Sequence, residues 1–339
     1  MAKIKFRTDC SLDAVVIGRI AIDINPVEYF KPWAECDTFK KYVGGSAANI
    51  AVGLARLGKK VGYIGRISDD PMGDYCQTYM DQQGIDTSHI VRCTNGASMG
   101  LAFTEVTDME HSRLIMYRNG AADLQFCADD VDEEYISRSR MLIVTGTALA
   151  CSPSREAVLK ALEYAGKHKL VVVFDIDFRN YTWKNLDEVS LYNSIAARYA
   201  DVIMGSREEY DLMGRILHSK NRSDREIAEE WFARRAAIVV IKHGSAGSTA
   251  YTDDGNAYSI KPFPVQAQKG FGGGDGYGSA FLNGILEGKD VIDCLEQGSA
   301  SAAMLVASHG CAPFMPTQEE LTAFIKAEKE QYGDMVARS

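Results

Sequence analysis

A glycine-rich run near residue 270 places one carboxylate at the predicted start of a helix. Gly272, Gly273 and Gly274 precede Asp275, and the apolar stretch that follows has helical spacing. Backbone N–H groups at a helix start, together with the helix dipole, form a binding site for an anion such as phosphate. A carboxylate there can accept the proton of a hydroxyl that attacks a phosphoryl group. The run therefore favours phosphoryl transfer with Asp275 as general base, although an ordinary turn in which Asp275 only caps the helix fits the run alone equally well.

The segments that must position this run alternate between short β-branched runs and stretches of helical period. Runs at 14–17 and 60–65 flank an amphipathic segment at 47–57. Four later apolar runs are nearly unbroken, at residues 141–144, 170–174, 201–204 and 237–241. Strands that lack alternation are buried on both faces, as in a parallel sheet between helices. The pattern predicts an α/β fold with a doubly wound, mostly parallel sheet flanked by helices.

Two segments depart from this pattern by alternating polar and apolar residues. They span about 18–43 and 97–118, and the second contains a turn-like sequence at 107–110. Alternation is typical of strands with one face in water. We expect these strands to form a small antiparallel β lid over the carboxyl edge of the main sheet. The rest of the prediction is a single domain over residues 12–325 and a C-terminal tail over 326–339.

Composition restricts the classes of partner. The chain of 339 residues is 46% hydrophobic and 24% charged, with a formal net charge of −9. Nucleic-acid surfaces and anionic membranes call for a concentrated excess of Lys and Arg, so neither is expected as a partner. The eight cysteines are scattered without metal-ligand spacing. We expect a cytoplasmic protein that acts on small molecules, with a homodimer as a further possibility.

Motifs beyond the glycine run extend over nearly the whole chain. The segment 44–51, Gly-Gly-Ser-Ala-Ala-Asn-Ile-Ala, and the segment 272–275 resemble the two signatures of the ribokinase-like (PfkB) carbohydrate kinases. Three intervening segments fall in the family's order, at 65–73, 84–86 and 241–247. The resemblance implies a ribokinase-like fold, ATP and Mg²⁺ as co-reactants, often a monovalent cation such as K⁺, and transfer to a primary sugar hydroxyl.

The resemblance also implies which residues bind the sugar. Asp23, Gly45 and Asn49 lie at positions that contact sugar hydroxyls in the family, while Asp275 and the N–H groups of residues 272–274 act on the phosphoryl group. Each of the three sugar positions has a structural alternative. Asp23 could cap a turn, Gly45 could serve only a positive φ, and Asn49 could be an ordinary residue of a helix N-terminus.

On the nucleotide side, Glu209 matches the acidic end of a family motif that orders water around Mg²⁺, and Ser206 replaces the usual Asn of that motif. The other residues that the resemblance assigns to the nucleotide are Lys242, Gly244, Gly247, Gly272 and Gly274. A further departure is that Lys269 and Gly270 stand where the family's second signature begins with an acidic residue and a Thr.

The segments 175–183 and 205–210, with Lys269, most resemble the subgroup that phosphorylates 5-dehydro-2-deoxygluconate in myo-inositol catabolism. A sugar acid carries a carboxylate, which arginine binds through two parallel hydrogen bonds, and Arg118 and Arg179 are the candidates. The predicted activity is ATP-dependent phosphorylation of this sugar acid to its 6-phosphate. The alternatives are a 2-keto-3-deoxygluconate kinase, another sugar kinase of the family, and a non-catalytic sugar-binding regulator.

Overall fold

The structure is a computed structural model that describes residues 4–108, 111–217 and 222–338. Within these ranges the chain forms fourteen strands and ten α-helices. The strands are β1 (Leu12–Ile17), β2 (Ala21–Pro26), β3 (Phe39–Gly44), β4 (Val61–Ser68), β5 (Asp86–Cys93), β6 (Gly100–Val106), β7 (Ser112–Tyr117), β8 (Ser139–Thr145), β9 (Val171–Asp175), β10 (Val202–Ser206), β11 (Ile238–Lys242), β12 (Ser248–Thr252), β13 (Ala257–Ile260) and β14 (Val336–Arg338). The helices are α1 (Ser46–Arg56), α2 (Pro71–Gln82), α3 (Glu133–Ser137), α4 (Ser154–Lys167), α5 (Leu186–Ala197), α6 (Arg207–Met213), α7 (Asp224–Phe232), α8 (Gly273–Leu286), α9 (Val291–Val306) and α10 (Gln318–Tyr332).

Ten strands form the main sheet in the order β14-β13-β12-β11-β10-β9-β8-β1-β4-β5. The pairs from β11 to β5 are parallel, and β12, β13 and β14 extend the sheet antiparallel. Along β1, Ala14 and Val16 pack into a core with α1, α8 and α9, whereas Val15 and Ile17 pack into a second core with α4 and α7. Both faces of the strand are therefore buried, which confirms the mostly parallel sheet between helices.

The smaller sheet has the order β3-β2-β6-β7 and forms the lid. The outer pairs β2–β3 and β6–β7 are antiparallel, and the central pair β2–β6 is parallel. Each hairpin is entered from the main sheet, after β1 and β5, so the first strands of the two hairpins run in the same direction. Burial alternates residue by residue along β6, as predicted for a half-wet strand. In the predicted turn, the Thr107 N–H donates to His111 O at 3.1 Å, while 109–110 lie outside the described residues.

The C-terminal part differs from the predicted tail. α10 runs on to Tyr332, and β14 then pairs with β13 in the register Ile260↔Val336. The helix is stabilised by a capping box in which the Thr317 hydroxyl accepts from the Glu320 N–H and the Glu320 carboxylate accepts from the Thr317 N–H. Without β14, the edge of β13 that faces away from β12 would have unpaired backbone N–H and C=O groups, and β14 pairs with this edge. No helix in the described ranges is long and apolar enough to cross a membrane.

Candidate active site

The glycine run forms an open helix N-terminus. Gly272 caps α8 in the left-handed region with φ 82°, and a Cβ there would lie 2.4 Å from Cys311 Sγ. Only glycine satisfies both restrictions. The first N–H groups of a helix have no acceptor within it, so those of Gly273, Gly274 and Asp275 are open to an external acceptor. We call residues 270–274 the anion loop. The sequence predicted this open helix start, and binding of phosphate there stays a prediction.

Asp275 is held in a buried position by a side chain from the other end of the sequence. It is 8% exposed, and Asn49 Nδ2 donates to its Oδ2 at 2.7 Å. Asn49 lies in α1, which Gly45 caps with φ 96°, and a Cβ at Gly45 would lie 2.4 Å from Arg19 O. The Asn49 Oδ1 is buried without a hydrogen-bond partner. Asn49 therefore orients Asp275 and keeps an acceptor for a hydroxyl donor.

Asp275 belongs to a group of four interacting carboxylates, Asp175, Asp177, Glu209 and Asp275, which we call the carboxylate cluster. Burial raises the pKa of Asp275 to about 6, with the charge of Asp177 adding to the effect while Arg179 and Asn49 oppose it. Burial likewise raises the pKa of Asp175 to about 7, and the charges of Asp177, Glu209 and Asp275 act in the same direction. The negative charge concentrated here favours protons or cations.

Asp177 differs from Asp175 and Asp275 because its neighbours favour its ionised form. Its Oδ1 lies 2.8 Å from Arg179 Nη2, and its Oδ2 accepts hydrogen bonds from the Ser46 hydroxyl and, at 3.1 Å, from Thr147 Oγ1. Although burial raises its pKa, Arg179, Ser46 and Thr147 outweigh burial and hold the pKa below its usual value. Asp177 therefore anchors the Arg179 guanidinium beside Asp275.

On the lid side, Asp23 lies on β2, where it pairs with Tyr42 of β3. Its carboxylate is buried. Burial raises the pKa of Asp23, while the charges of Arg19, Lys269 and Arg179 lower it. The side chain of Arg19 is buried and its Nε has no hydrogen-bond partner. A buried cation with an unpaired Nε thus accompanies Asp23, the predicted sugar contact.

The two predicted carboxylate-binding arginines lie in different surroundings. Arg118 forms a buried ion pair with Asp123, with Nε to Oδ2 at 2.8 Å, and its Nη2 also donates to Thr147 O at 2.9 Å. Arg179 lies in the carboxylate cluster with a side chain that is 37% exposed. The structure therefore brings Arg179, but not Arg118, together with Asp275 at an accessible position.

The lid is connected to the residues that follow α9. Asn25 Nδ2 and the Tyr29 hydroxyl both donate to His309 O, at 3.0 and 2.7 Å, and the Tyr42 hydroxyl bonds to the His309 ring at 2.9 Å. On the other side, the Tyr181 hydroxyl donates to a backbone carbonyl of β7. These contacts hold the lid over the carboxyl edge of the sheet.

Two of the predicted nucleotide residues lie at the carboxyl ends of β10 and β11. Ser206 and Lys242 end the two strands in register. The Lys242 Nζ lies 3.7 Å from Asp175 Oδ1 and would lie 3.6 Å from a Cβ at Gly274. The ammonium of Lys242 is thus placed between the carboxylate cluster and the anion loop.

Glu209 uses both carboxylate oxygens on backbone groups. Its Oε2 accepts from the Ser206 N–H and its Oε1 from the Phe178 N–H, each at 2.7 Å. Asp175 Oδ1, by contrast, is buried without a hydrogen-bond partner. In the described part of the chain no three His, Cys, Asp or Glu side chains converge as metal ligands. These residues fit Mg²⁺ that keeps most of its water and phosphate ligands, with the nearby carboxylates acting through water.

The glycines after β11 form a tight connection to β12. Gly244 has φ 56° and Gly247 has φ 102°. A Cβ at Gly247 would lie 2.1 Å from Ile260 O, whereas a Cβ at Gly244 would meet nothing within 4 Å. Gly247 is therefore required by the backbone, and Gly244 leaves open space at the sheet edge where a nucleotide could approach.

Four side chains of the site had no assigned role in the sequence analysis: Arg19, Asp175, Asp177 and Lys269. A carboxylate at the carboxyl end of an apolar strand, as in β9, is the signal that could have identified Asp175, because α/β sheets bind ligands at that edge. For Lys269, the signal was its departure from the family's acidic residue.

The chain is similar in sequence and in fold to known proteins. Residues 11–318 match the sequence profile of the pfkB family carbohydrate kinases. A 5-dehydro-2-deoxygluconokinase of Clostridium beijerinckii is 57% identical over 339 residues, with all of both chains covered. Among solved structures, a PfkB protein from Polaromonas sp. JS666 has a TM-score of 0.80 at 27% identity, covering 92% of this chain and all of that one. A proposed ribokinase II from E. coli, in complex with ATP and Mg²⁺, has a TM-score of 0.84 at 22% identity, covering 93% and 99%.

Proposed function

Because the chain belongs to the pfkB family of carbohydrate kinases, we propose that it transfers the γ-phosphoryl group of ATP to 5-dehydro-2-deoxy-D-gluconate and forms the 6-phosphate. The observation that carries the reaction type is Asp275, a buried carboxylate oriented by Asn49 at the open N-terminus of α8. The full-length relative at 57% identity supports the choice of sugar acid.

In the proposed reaction, Asp275 accepts the proton of the attacking hydroxyl. Its pKa of about 6 lies close to neutral pH, where a general base is both ionised and basic enough to be effective. Asn49 keeps the carboxylate in one orientation and offers its free Oδ1 to a hydroxyl of the sugar. Alignment of the two reactants in this way is a main source of rate in phosphoryl transfer.

Charge on the migrating phosphoryl group is stabilised by the N–H groups at the start of α8, on residues 272–275, and by the ammonium of Lys242. Mg²⁺, when bound near Asp175 and Glu209, would neutralise phosphate charge. Ser206 and Gly244 are the proposed neighbours of the rest of the nucleotide at the ends of β10 and β11. K⁺ has no part in this proposal, since the ammonium of Lys269 already lies beside the anion loop.

The sugar is proposed to bind under the lid. Asp23 accepts from sugar hydroxyls, and Gly45, whose positive φ caps α1 against the backbone of Arg19, places Asn49 beside them. Arg179 is the proposed contact of the sugar carboxylate, because its partly exposed guanidinium lies beside Asp275. The unsatisfied Nε of Arg19 adds positive charge on the same side. For Arg118, the buried ion pair supports a role in holding the lid edge and leaves the carboxylate contact to Arg179.

The test is ADP release with Mg-ATP and a panel of 5-dehydro-2-deoxygluconate, 2-keto-3-deoxygluconate, fructose and ribose. A kcat/KM for the first that exceeds the others supports the substrate. Preference for another sugar keeps the reaction and rejects the substrate. Absence of turnover with all four, while a sugar still raises Tm, would favour a sugar-binding regulator.

A cytoplasmic location and a homodimer also remain proposals. The lid presents β7 as an edge strand with exposed Ile115 and Tyr117, at 40% and 65% exposure. Exposed apolar side chains on an edge strand are suited to pairing with a second copy. Sedimentation of the wild-type protein and of a Tyr117→Lys variant would test this, since a dimer through the lid should dissociate in the variant.

A further inference from the structure

Lys269 carries a buried ammonium group that contacts two backbone carbonyl oxygens, a thiol and an aromatic ring. The residue is 1% exposed. Its Nζ donates to Gly310 O at 2.7 Å and to Phe271 O at 3.2 Å. It also contacts Cys311 Sγ at 3.6 Å and lies 4.8 Å from the centre of the Phe271 ring. Throughout the described part of the chain no carboxylate lies within 4.0 Å of this ammonium.

Burial of a charge in this way is costly, because the lost water must be replaced by other ligands. A salt bridge would be the usual replacement for a buried lysine. Here the replacement consists of carbonyl oxygens, which are the ligands that proteins use to hold K⁺. The surroundings of the ammonium are therefore those of a monovalent cation site, with the charge attached to the chain.

The ammonium also lies where a monovalent cation would assist phosphoryl transfer. A Cβ at Gly272, the cap of α8, would lie 3.2 Å from Nζ. One of the carbonyls that it binds belongs to Phe271, within the anion loop, and the other to Gly310, beside the residue that contacts the lid. Its charge acts against the burial of Asp23 by lowering the pKa of that carboxyl. One positive charge thus binds both the loop and the segment after α9, and it lowers the pKa of the lid-side carboxyl.

We propose that Lys269 takes the place of a bound K⁺, so that phosphoryl transfer by this chain requires no added monovalent cation. This inference rests on the proposed function, because it gives Lys269 a positioning role for the anion loop. It departs from the resemblance to the family, which implied K⁺. The carbonyl oxygens of Phe271 and Gly310 already accept hydrogen bonds from Nζ, so they cannot also coordinate a K⁺ ion.

The first test needs only the wild-type protein. ADP release is measured with K⁺, and again with all K⁺ and NH₄⁺ replaced by tetramethylammonium, which is too large for the site. We expect kcat to change by less than about twofold. A loss of about tenfold or more without K⁺ would overturn the proposal.

The second test removes the tethered charge. Lys269→Ala removes the side chain beyond Cβ and leaves a cavity in its place. Lys269→Met removes the charge but keeps a side chain of similar length, so it leaves little space. We expect both variants to lose about tenfold or more in kcat, and only the Ala variant to recover severalfold with K⁺, NH₄⁺ or methylammonium. Lys326→Ala, whose side chain is 79% exposed, is the control that should behave as wild type. Failure of every cation and amine to restore the Ala variant would overturn the proposal.

A third measurement separates this inference from the proposed function. Added K⁺ should raise the Tm of Lys269→Ala, because an ion that binds only the folded state stabilises it. The same K⁺ should leave the Tm of wild type and of Lys326→Ala unchanged relative to tetramethylammonium. This comparison needs no turnover, so it stands even if none of the sugars is phosphorylated. Equal shifts in all three proteins would count against a cation site at residue 269.

Discussion

Replacement of Asp275 by Asn removes the proposed base and leaves the local shape intact. An amide oxygen at this position can still accept from Asn49 Nδ2, which lies 2.7 Å from the carboxylate in wild type. Loss of a general base lowers a rate by about 10²–10⁴-fold. We expect a decrease in kcat of this size, with a much smaller change in sugar binding.

The same change should not destabilise the fold. Burial raises the pKa of Asp275 from its ordinary value of 3.8 to about 6, so folding favours the neutral carboxyl. The stability that the neutral form contributes is fully present below pH 3.8 and is lost as pH rises through about 6. By pH 7 the loss is about 3 kcal/mol, at about 1.4 kcal/mol for each tenfold change in proton affinity. Asn stays neutral, so Asp275→Asn should be at least as stable as wild type at pH 7 and above.

The assay combines ADP release with thermal unfolding at several pH values. The matched control is Asp293→Asn, because Asp293 is the third residue of α9 as Asp275 is of α8, but is exposed at the surface. The control should keep both kcat and Tm. Turnover of Asp275→Asn within about tenfold of wild type would refute the assignment of the base. A Tm well below that of wild type at pH 7 would refute the account of its burial.

Further predictions concern the loop, the site and the lid. Gly272→Ala should lower kcat about tenfold or more, since its Cβ meets Cys311, whereas Gly288→Ala, with φ 72° and nothing within 4 Å, should carry only the backbone strain of about 1–2 kcal/mol. Asn49→Ala should lower kcat by about 10–100-fold, because a hydrogen bond to a charged group is worth about 1.5–3 kcal/mol, and initial rates over a range of sugar concentrations would separate kcat from KM. Arg118→Met should cost about 3–5 kcal/mol of stability in urea unfolding by leaving its buried carboxylate partner unpaired. Arg215→Met breaks an exposed ion pair and should cost less than about 1 kcal/mol. Wild-type kcat should rise with pH through about 6, following Asp275, and this step should be absent from the residual activity of Asp275→Asn.

Three results would contradict these expectations. Equal losses of kcat in the two glycine variants would mean that the contact with Cys311 does not position the anion loop. An Asn49→Ala variant with unchanged kcat and raised KM would limit Asn49 to sugar binding. A stable Arg118→Met variant with a large increase in KM for the sugar acid would return the carboxylate contact to Arg118.

Much of the fold could be predicted because its signals are local. The unbroken apolar runs became β8, β9, β10 and β11, since a strand that is buried on both faces has no position for a polar side chain. The alternation in residues 97–118 became β6 and β7 of the lid. The glycine run predicted an open helix N-terminus, because glycine permits the left-handed cap and the helix dipole does not depend on distant residues.

The features that sequence patterns did not predict involve contacts between distant parts of the chain. The parallel pairing of β2 with β6 depends on how both hairpins leave the main sheet. The strand β14 forms only because the edge of β13 is within reach. Arg118 resembled a ligand-binding arginine by sequence, but the fold buries it with Asp123.

The sequence by itself determined the kind of scaffold, the position of the anion loop and the residue type that can act as base. Periodicity, glycine spacing and a carboxylate at a helix start are properties of neighbouring residues. Only the tertiary structure decided that Asn49 orients Asp275, which lies 226 positions further along the chain. It also decided that Asp175 and Asp177 add negative charge close to Asp275. The contact of the Lys269 ammonium with carbonyl oxygens likewise depends on the fold. Electrostatic effects depend on distance and burial in space, and neither follows from the order of residues along the chain.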